Sequence, residues 1–451
     1  MNNVGHIGAR LDRIPFSVFH YEIFGIISMS LLFTGFLSYS GNIVLAELVS
    51  NGWSNNYLNA AFTSALMAGY FIGSVAGGFI GDKLGRRKTF RINLLIVGIS
   101  AMAASFSPDM YWLIIFRCLM GIGMGALIMV GYASFVEFIP ANVRGKWSAR
   151  LSFVGNWSPV ISALIGAVVI SYFSWRLMFL LGGVLMLIAW YFSAKYFIES
   201  PRWLEGKGRG EQAENNLRNI ELRTEIKENI KLSHCERDNY YLENVRGSDS
   251  FWSLFKGSML RRTLVAITVL VAMNISLYTI TVWIPTIFVN SGIEVTKSIV
   301  MTSMIMLGAP AGVFFATLTI DKYPRKLFGS SLLIIIAVMG YYYSLQTSEL
   351  KIIVCGLVMV FFLYMYVCFS SAVYIPELWP THMRLRGSGL VNAVGRFVAV
   401  IAPYGVAMLL TDYGSKTVFV VLGAILILCA FLLLVFGIET RTVSLEKISQ
   451  L

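Results

Sequence analysis

Residues 81–88 read GDKLGRRK, and residues 320–326 read IDKYPRK. Asp82, Lys83 and Arg86 thus recur as Asp321, Lys322 and Arg325, at an offset of 239 residues. A second pair keeps nearly the same step. EFIPANVRG (137–145) answers to ELWPTHMRLRG (377–387), so Glu137, Pro140 and Arg144 recur as Glu377, Pro380 and Arg384, 240 residues on. Glu199 and Glu439, each closing an apolar run, are also 240 apart. Three landmarks in one order at one period mean an internal duplication.

What is duplicated follows from the text between the landmarks. The chain has 451 residues, of which 57% are hydrophobic and only 13% charged, and its mean hydropathy is +0.70. No soluble domain has that balance. Apolar runs of about 20 residues, the length that crosses a hydrocarbon core, recur from 23–47 to 417–437, six in each copy. Lipid offers no partner to an unpaired N–H or C=O, so the runs are read as helices. The ten-residue alternation of a barrel strand is absent. The sequence predicts an all-α membrane protein of 12 transmembrane helices in two six-helix pseudo-repeats. Its predicted parts are an N-terminal bundle (1–197), a cytoplasmic linker (198–262), a C-terminal bundle (263–437) and a cytoplasmic tail (438–451). No small-residue cleavage site follows the first run, which is read as a retained helix.

Basic residues set the orientation. Of the 36, only Arg176, Lys297, Lys351 and Lys416 fall in loops on one side, and Arg117, Lys195 and Arg396 fall within spans. All the others gather on the opposite side, which is therefore cytoplasmic, with both termini. The net charge of +12 is mostly this asymmetry and needs no nucleic acid; anionic headgroups are the natural partners. Four cysteines fall in spans and Cys235 in the linker, so no disulfide framework is implied. In the linker, EQAENNLRNIELRTEIKENIKL (211–232) sets Leu217, Ile220, Leu222, Ile226 and Ile230 at nearly helical spacing, an amphipathic helix.

The quoted loops resemble those of the major facilitator superfamily, in its branch of sugar porters and metabolite or organic-ion transporters. GGFIGDKLGRRK (77–88) resembles the signature between helices two and three. Arg117 with Gly121, Gly123 and Gly125 resembles the fourth-helix signature. ESPRWLEGKGR from Glu199, YIPELWPTHMRLRGSG from Tyr374 and IETRTVSLEKI from Ile438 resemble sugar-porter elements. The resemblance covers nearly the whole chain. It implies a monomeric bacterial inner-membrane transporter moving a small metabolite, with neither cofactor nor metal and no catalytic residue. Scattered histidines and the lack of paired intramembrane acids also argue against an enzyme. A transport-dead sensor is disfavoured by the short tails.

The basic-side motifs pair carboxylates at helix ends (Asp82, Glu137, Glu199, Asp321, Glu377, Glu439) with loop cations (Arg86, Arg87, Arg144, Arg325, Arg384). They are read as a gate of several weak ion pairs that latch the two halves when the cytoplasmic side closes. A charge inside a span marks function. Arg396 lies about 12 Å into span eleven at 1.5 Å per residue, with Asn392 before it and Pro403 seven residues on. In the organic-ion branch that position handles substrate charge, so Arg396 implies an anion. Arg117 in the same family braces helices or assists coupling. Tyr39, Asn42, Asn156, Trp157, Asn274, Tyr278, Tyr364 and Tyr366 complete a candidate substrate site of aromatic walls and amides. Proton symport is the family's habit, but Thr34 stands where many relatives carry a helix-one Asp. An organic or sugar acid is the expected cargo, and a neutral sugar porter or a drug-type antiporter is the alternative.

Overall fold

The computed structural model describes residues 6–140, 144–232, 251–290, 292–320, 322–379 and 384–440. Its bundle consists of α1 (Val18–Ser50), α2 (Asn56–Leu84), α3 (Arg86–Ser105), α4 (Met110–Phe138), α5 (Arg150–Tyr172), α6 (Trp175–Tyr196), α7 (Met259–Val289), α8 (Val295–Thr319), α9 (Arg325–Ser344), α10 (Glu349–Glu377), α11 (Gly387–Tyr413) and α12 (Ser415–Phe436). Eleven of these are long and apolar enough to cross a bilayer. The exception is α3, which opens on RRKTFR and so has a short apolar part; it still packs between α4 and α6. The described residues contain no strand.

The apolar side chains form two cores. One joins α1–α6 and the other α7–α12. At the seams they trade a few residues: Ala60 of α2 and Val160 of α5 sit in the second core, Ile299 of α8 and Ala399 of α11 in the first. The halves therefore meet along α2–α11 and α5–α8. Hydrogen bonds across these seams lie toward the ends remote from the basic loops: Asn56 to Thr411 (3.1 Å), Ser171 to Thr296 (3.2 Å) and Ser64 to the Val400 carbonyl (2.6 Å).

Within the first half, close approach of α2 and α4 depends on absent side chains. A Cβ on Gly69, Gly73 or Gly77 would collide with Cys118, Ile122 or Ala126, the small-xxx-small contact of membrane helices. Three helices are interrupted. α5 breaks at Asn156 and Trp157 ahead of Pro159, α8 breaks at Leu307, and α10 carries a π-helical turn at Cys368–Tyr374.

The linker forms the helices Pro201–Gly206 and Gly210–Glu228. The second ends at Glu228, where Asn229 with a φ of 53° breaks the run, four residues short of the predicted end at 232. Its five apolar positions do not share one face. Leu217 and Ile220 are buried with Ala213 and Thr224, whereas Leu222, Ile226 and Ile230 are exposed. The step of four from Leu222 onward puts those three on a separate stripe. The buried stripe faces the N-terminal helix His6–Arg13 and the start of α1. Arg10 pairs with Glu214 (2.7 Å) and Glu221 (2.6 Å), Arg13 with Glu221 (2.7 Å), and Arg202 with Asp12 (2.8 Å). The predicted tail from 441 and Cys235 lie outside the described residues.

Candidate functional site

Between the halves lies a cavity of about 290 Å³. α1 supplies Thr34, Ser38, Tyr39 and Asn42, which are four or five residues apart in part and so line one helical face. α2 adds Thr63 and Tyr70, α4 Tyr132, α5 Ser152 and Asn156, α7 Tyr278 and Thr281, and α11 Arg396. Asn156 lies at the interruption of α5, and broken helices are where membrane transporters bring backbone to a substrate. Among the described residues, Arg396 is the one charged side chain that lines the space, and no acid does.

The guanidinium of Arg396 is half-buried. It donates to the Tyr278 hydroxyl (3.2 Å) and lies over the Tyr70 ring, 5.2 Å from its centroid. Tyr278 belongs to the second half and Tyr70 to the first, so the cation sits where the halves meet. Nearby, the Tyr39 and Tyr364 hydroxyls bond across the same divide at 2.7 Å. The Thr34 hydroxyl faces this cavity and is buried, with no hydrogen-bond partner among the described residues. A buried polar atom left unpaired is costly.

Of the residues singled out in the sequence, Arg396, Tyr39, Asn42, Asn156 and Tyr278 line the cavity. Tyr364 reaches it through Tyr39. The other four lie elsewhere. Tyr366 is buried and donates to the Val269 carbonyl (3.1 Å), tying α10 to α7. Asn274 is buried against Gly395 and bonds its own helix at Leu270. Asn392 is exposed and bonds the Ser388 carbonyl one turn back. Trp157 stands exposed beside Phe153, on the far side of the α5 turn from Asn156. Thr34, Ser38, Thr63, Tyr70, Tyr132, Ser152 and Thr281 were not anticipated as lining. Partial signals exist: Thr34 and Ser38 stand at steps of four with Asn42, Ser152 four before Asn156, and Thr281 three after Tyr278, whereas Thr63, Tyr70 and Tyr132 have no such partner.

Arg117 is fully buried in α4. It donates to the Leu37 and Ser38 carbonyls of α1 (2.9 and 2.7 Å) and lies over the Phe62 ring. Gly41 makes room for it, since a Cβ there would overlap the guanidinium. It stands behind the cavity wall.

On the basic side the duplicated motifs build the same device twice. Glu199 accepts from the backbone N–H groups of Arg86 (2.6 Å) and Arg87 (3.3 Å), capping α3. Glu439 accepts from Arg325 (2.9 Å) and Lys326 (3.3 Å), capping α9. The carboxylate meets the positive end of each helix dipole. Arg86 then bonds Glu137 (3.0 Å) and Asp82 of α2, and Arg325 bonds Glu377 (3.1 Å). Arg87 reaches the Ala194 carbonyl instead (2.8 Å). Burial pushes the Glu199 carboxyl up, against the pull of the Arg87 and Arg86 N–H groups. Asp321 and the side chains of Arg144 and Arg384 lie outside the described residues. Every ion pair between described residues on this side joins groups of one half, with the linker counted in the first. The sequence predicts latches across the halves; among the described residues, Arg86 and Arg325 pair within their own bundles.

The family model of the Major Facilitator Superfamily matches residues 26–403. The chain belongs to the major facilitator superfamily. It is 72% identical over its full length, and the full length of that protein, to the inner membrane metabolite transport protein YdjE of Escherichia coli strain K12. It is 27% identical to the niacin transporter NiaP of Acinetobacter baylyi, over 98% of this chain and 99% of that one. In fold it matches the inward open conformation of the xylose transporter XylE from E. coli, with a TM-score of 0.74 over 95% of this chain and 99% of that one, at 18% identity. This major facilitator is a metabolite transporter, a multi-pass protein of the inner membrane, and not an enzyme. Facilitators of this kind bind small molecules, and the cavity is of the size for one.

Proposed function

We propose that this transporter carries a small organic anion, an organic or sugar acid, by alternating access, with its basic loops and both termini in the cytoplasm. The observation that carries the reading is Arg396, the single charge among the residues lining the cavity, with no carboxylate lining it to cancel the cation. A lone cation in a low-dielectric space is expensive unless a ligand meets it. A guanidinium offers a carboxylate two parallel donors. Around it, hydroxyls from Thr34, Ser38, Thr63 and Thr281 suit the rest of a polar metabolite, and Tyr70 and Tyr278 offer apolar faces. The relative that carries niacin, itself a carboxylic acid, supports the same reading.

The contacts between halves at the end remote from the basic loops point to an inward-facing state. In it, the two Glu–Arg devices secure each bundle separately, and latching across the halves belongs to the opposite state. Proton coupling is the family's habit. Since no acid lines this cavity, a coupled proton would be bound elsewhere or carried by the cargo. The reading is tested by melting the purified protein against sugar acids, small carboxylates and neutral sugars, because a bound ligand stabilises by mass action. Acids should raise the melting temperature, and their neutral counterparts should not. Stabilisation by neutral sugars alone would return the sugar-porter alternative.

A further inference from the structure

A second cavity, larger than the central one, lies outside the transport path. A space of about 790 Å³ opens at the basic end of α3, between α3, the end of α6 and both linker helices. Four cations line it: Arg87, Lys88, Arg91 and Arg209. Its one acid, Glu199, is already engaged by the N–H groups of Arg86 and Arg87. None of Lys88, Arg91 and Arg209 makes an ion pair among the described residues. The buried Nε atoms of Arg87 and Arg91 have no hydrogen-bond partner among them either. Arg91 is held over the Trp190 ring at 5.1 Å, and Arg209 over Trp203 at 5.8 Å. The charges are thus gathered and positioned, but not satisfied.

Farther from the basic end the same wall turns apolar. Ile92, Leu95 and Trp190 line it, and α3 continues away from the basic end with Ile99 exposed, beside exposed Ile188 and Tyr191 of α6. In an inner-membrane protein such a strip faces acyl chains. A ligand that fits must carry negative charge at one end and hydrocarbon at the other, at the depth where the bilayer changes from chains to headgroups.

We propose that this cavity binds an anionic phospholipid, its phosphate held by Lys88, Arg91 and Arg209 and its acyl chains laid along Ile92, Leu95 and Ile99. The lipid would fasten the linker helices to the first half from the side opposite the Arg10 and Arg13 pairs. Free phosphate shares the headgroup's chemistry but gains nothing from the apolar wall.

The test uses the full chain in detergent micelles, with lipid binding followed by native mass spectrometry and melting temperature. Probes are phosphatidylglycerol, cardiolipin, phosphatidylcholine and inorganic phosphate. Phosphatidylglycerol or cardiolipin should bind and stabilise, whereas phosphatidylcholine and phosphate should not. Each basic side chain near an anionic headgroup contributes about a factor of five in affinity, so Lys88→Gln with Arg209→Gln should weaken binding roughly thirty-fold. Both side chains are exposed, so the variant is expected to fold; Lys83→Gln, on the same side but outside the cavity, should change nothing. Equal lipid binding by the double variant and its parent overturns the proposal. Stabilisation by inorganic phosphate equal to that by lipid also overturns it, in favour of a soluble anion. If Lys83→Gln weakens binding as much as the double variant, the attraction is diffuse and the site is wrong.

Discussion

Arg396 and Arg117 are both guanidinium groups inside apolar helices, and their surroundings set them to different work. Arg117 is sealed, with two carbonyls of α1 and the Phe62 ring around it. Charge-assisted hydrogen bonds contribute about 1.5 kcal/mol or more each. Arg117→Ala should therefore cost about 3 kcal/mol of stability, read as a lowered melting temperature, in ligand-free protein as well as in the complex. Arg396 opens on the cavity, and its loss should leave ligand-free stability nearly unchanged. Thr34 is a third case, a residue lining the cavity whose buried hydroxyl has no partner among the described residues. Thr34→Val keeps its shape and removes the donor. We expect substrate affinity to fall roughly three- to ten-fold, the worth of one hydrogen bond, with melting unaltered; no change in affinity would mean that cargo does not reach α1. Both arginines were legible in the sequence because a charge in an apolar run stands out. Thr34 was not, since a single hydroxyl in a membrane helix usually bonds its own backbone, as Ser30, Thr63 and Thr302 do here.

At the scale of elements, the amphipathic character of the linker was readable but its partner was not. Arg10 and Glu221 are 211 residues apart, and nothing local announces that they meet. Burial alone would raise the Glu221 carboxyl, but the hydrogen bonds from Arg10 and Arg13 outweigh it and hold it below the usual carboxylate value. A depressed acid contributes its stability above its unfolded pKa and loses it as the pH falls through the folded one. Linker docking should thus hold at neutral pH and loosen in acid. The protection of amides over 210–228, taken relative to their intrinsic exchange rate at each pH, should fall at low pH, and Glu221→Gln should show the reduced protection already at pH 7. Exchange that ignores both changes would deny the pairs any role in docking. The capping carboxylates Glu199 and Glu439 were visible as motif and period. That they bond backbone N–H groups was not, because a one-dimensional repeat carries no information on which loop faces which helix end.

For the whole molecule, the 239- and 240-residue offsets carried the two-bundle architecture, since each landmark closes an apolar run at the same step. The state of the molecule was not legible, because the same residues serve both ends of the transport cycle. Orientation is open to direct test. Cysteines placed at Ser54, Pro108 and Ser415 should react with a membrane-impermeant thiol reagent added outside, and one at the exposed Lys207 should not; the reverse pattern would invert the gate. The Glu377 carboxylate holds Arg325 and the Thr440 hydroxyl (2.6 Å). Glu377→Gln should slow turnover while leaving substrate affinity within a few-fold.

The central claim is that Arg396 reads a negative charge on the cargo. Its most direct test is the affinity of one acid and its neutral, isosteric amide, measured by calorimetry on the parent, Arg396→Lys and Arg396→Ala. Lysine keeps the charge but not the two-point fork. The account predicts that the acid binds the parent roughly ten- to a hundred-fold better than the amide, that this preference shrinks with Arg396→Lys, and that it vanishes with Arg396→Ala. Equal losses of acid and amide in both variants would make Arg396 a brace between the halves and contradict the account.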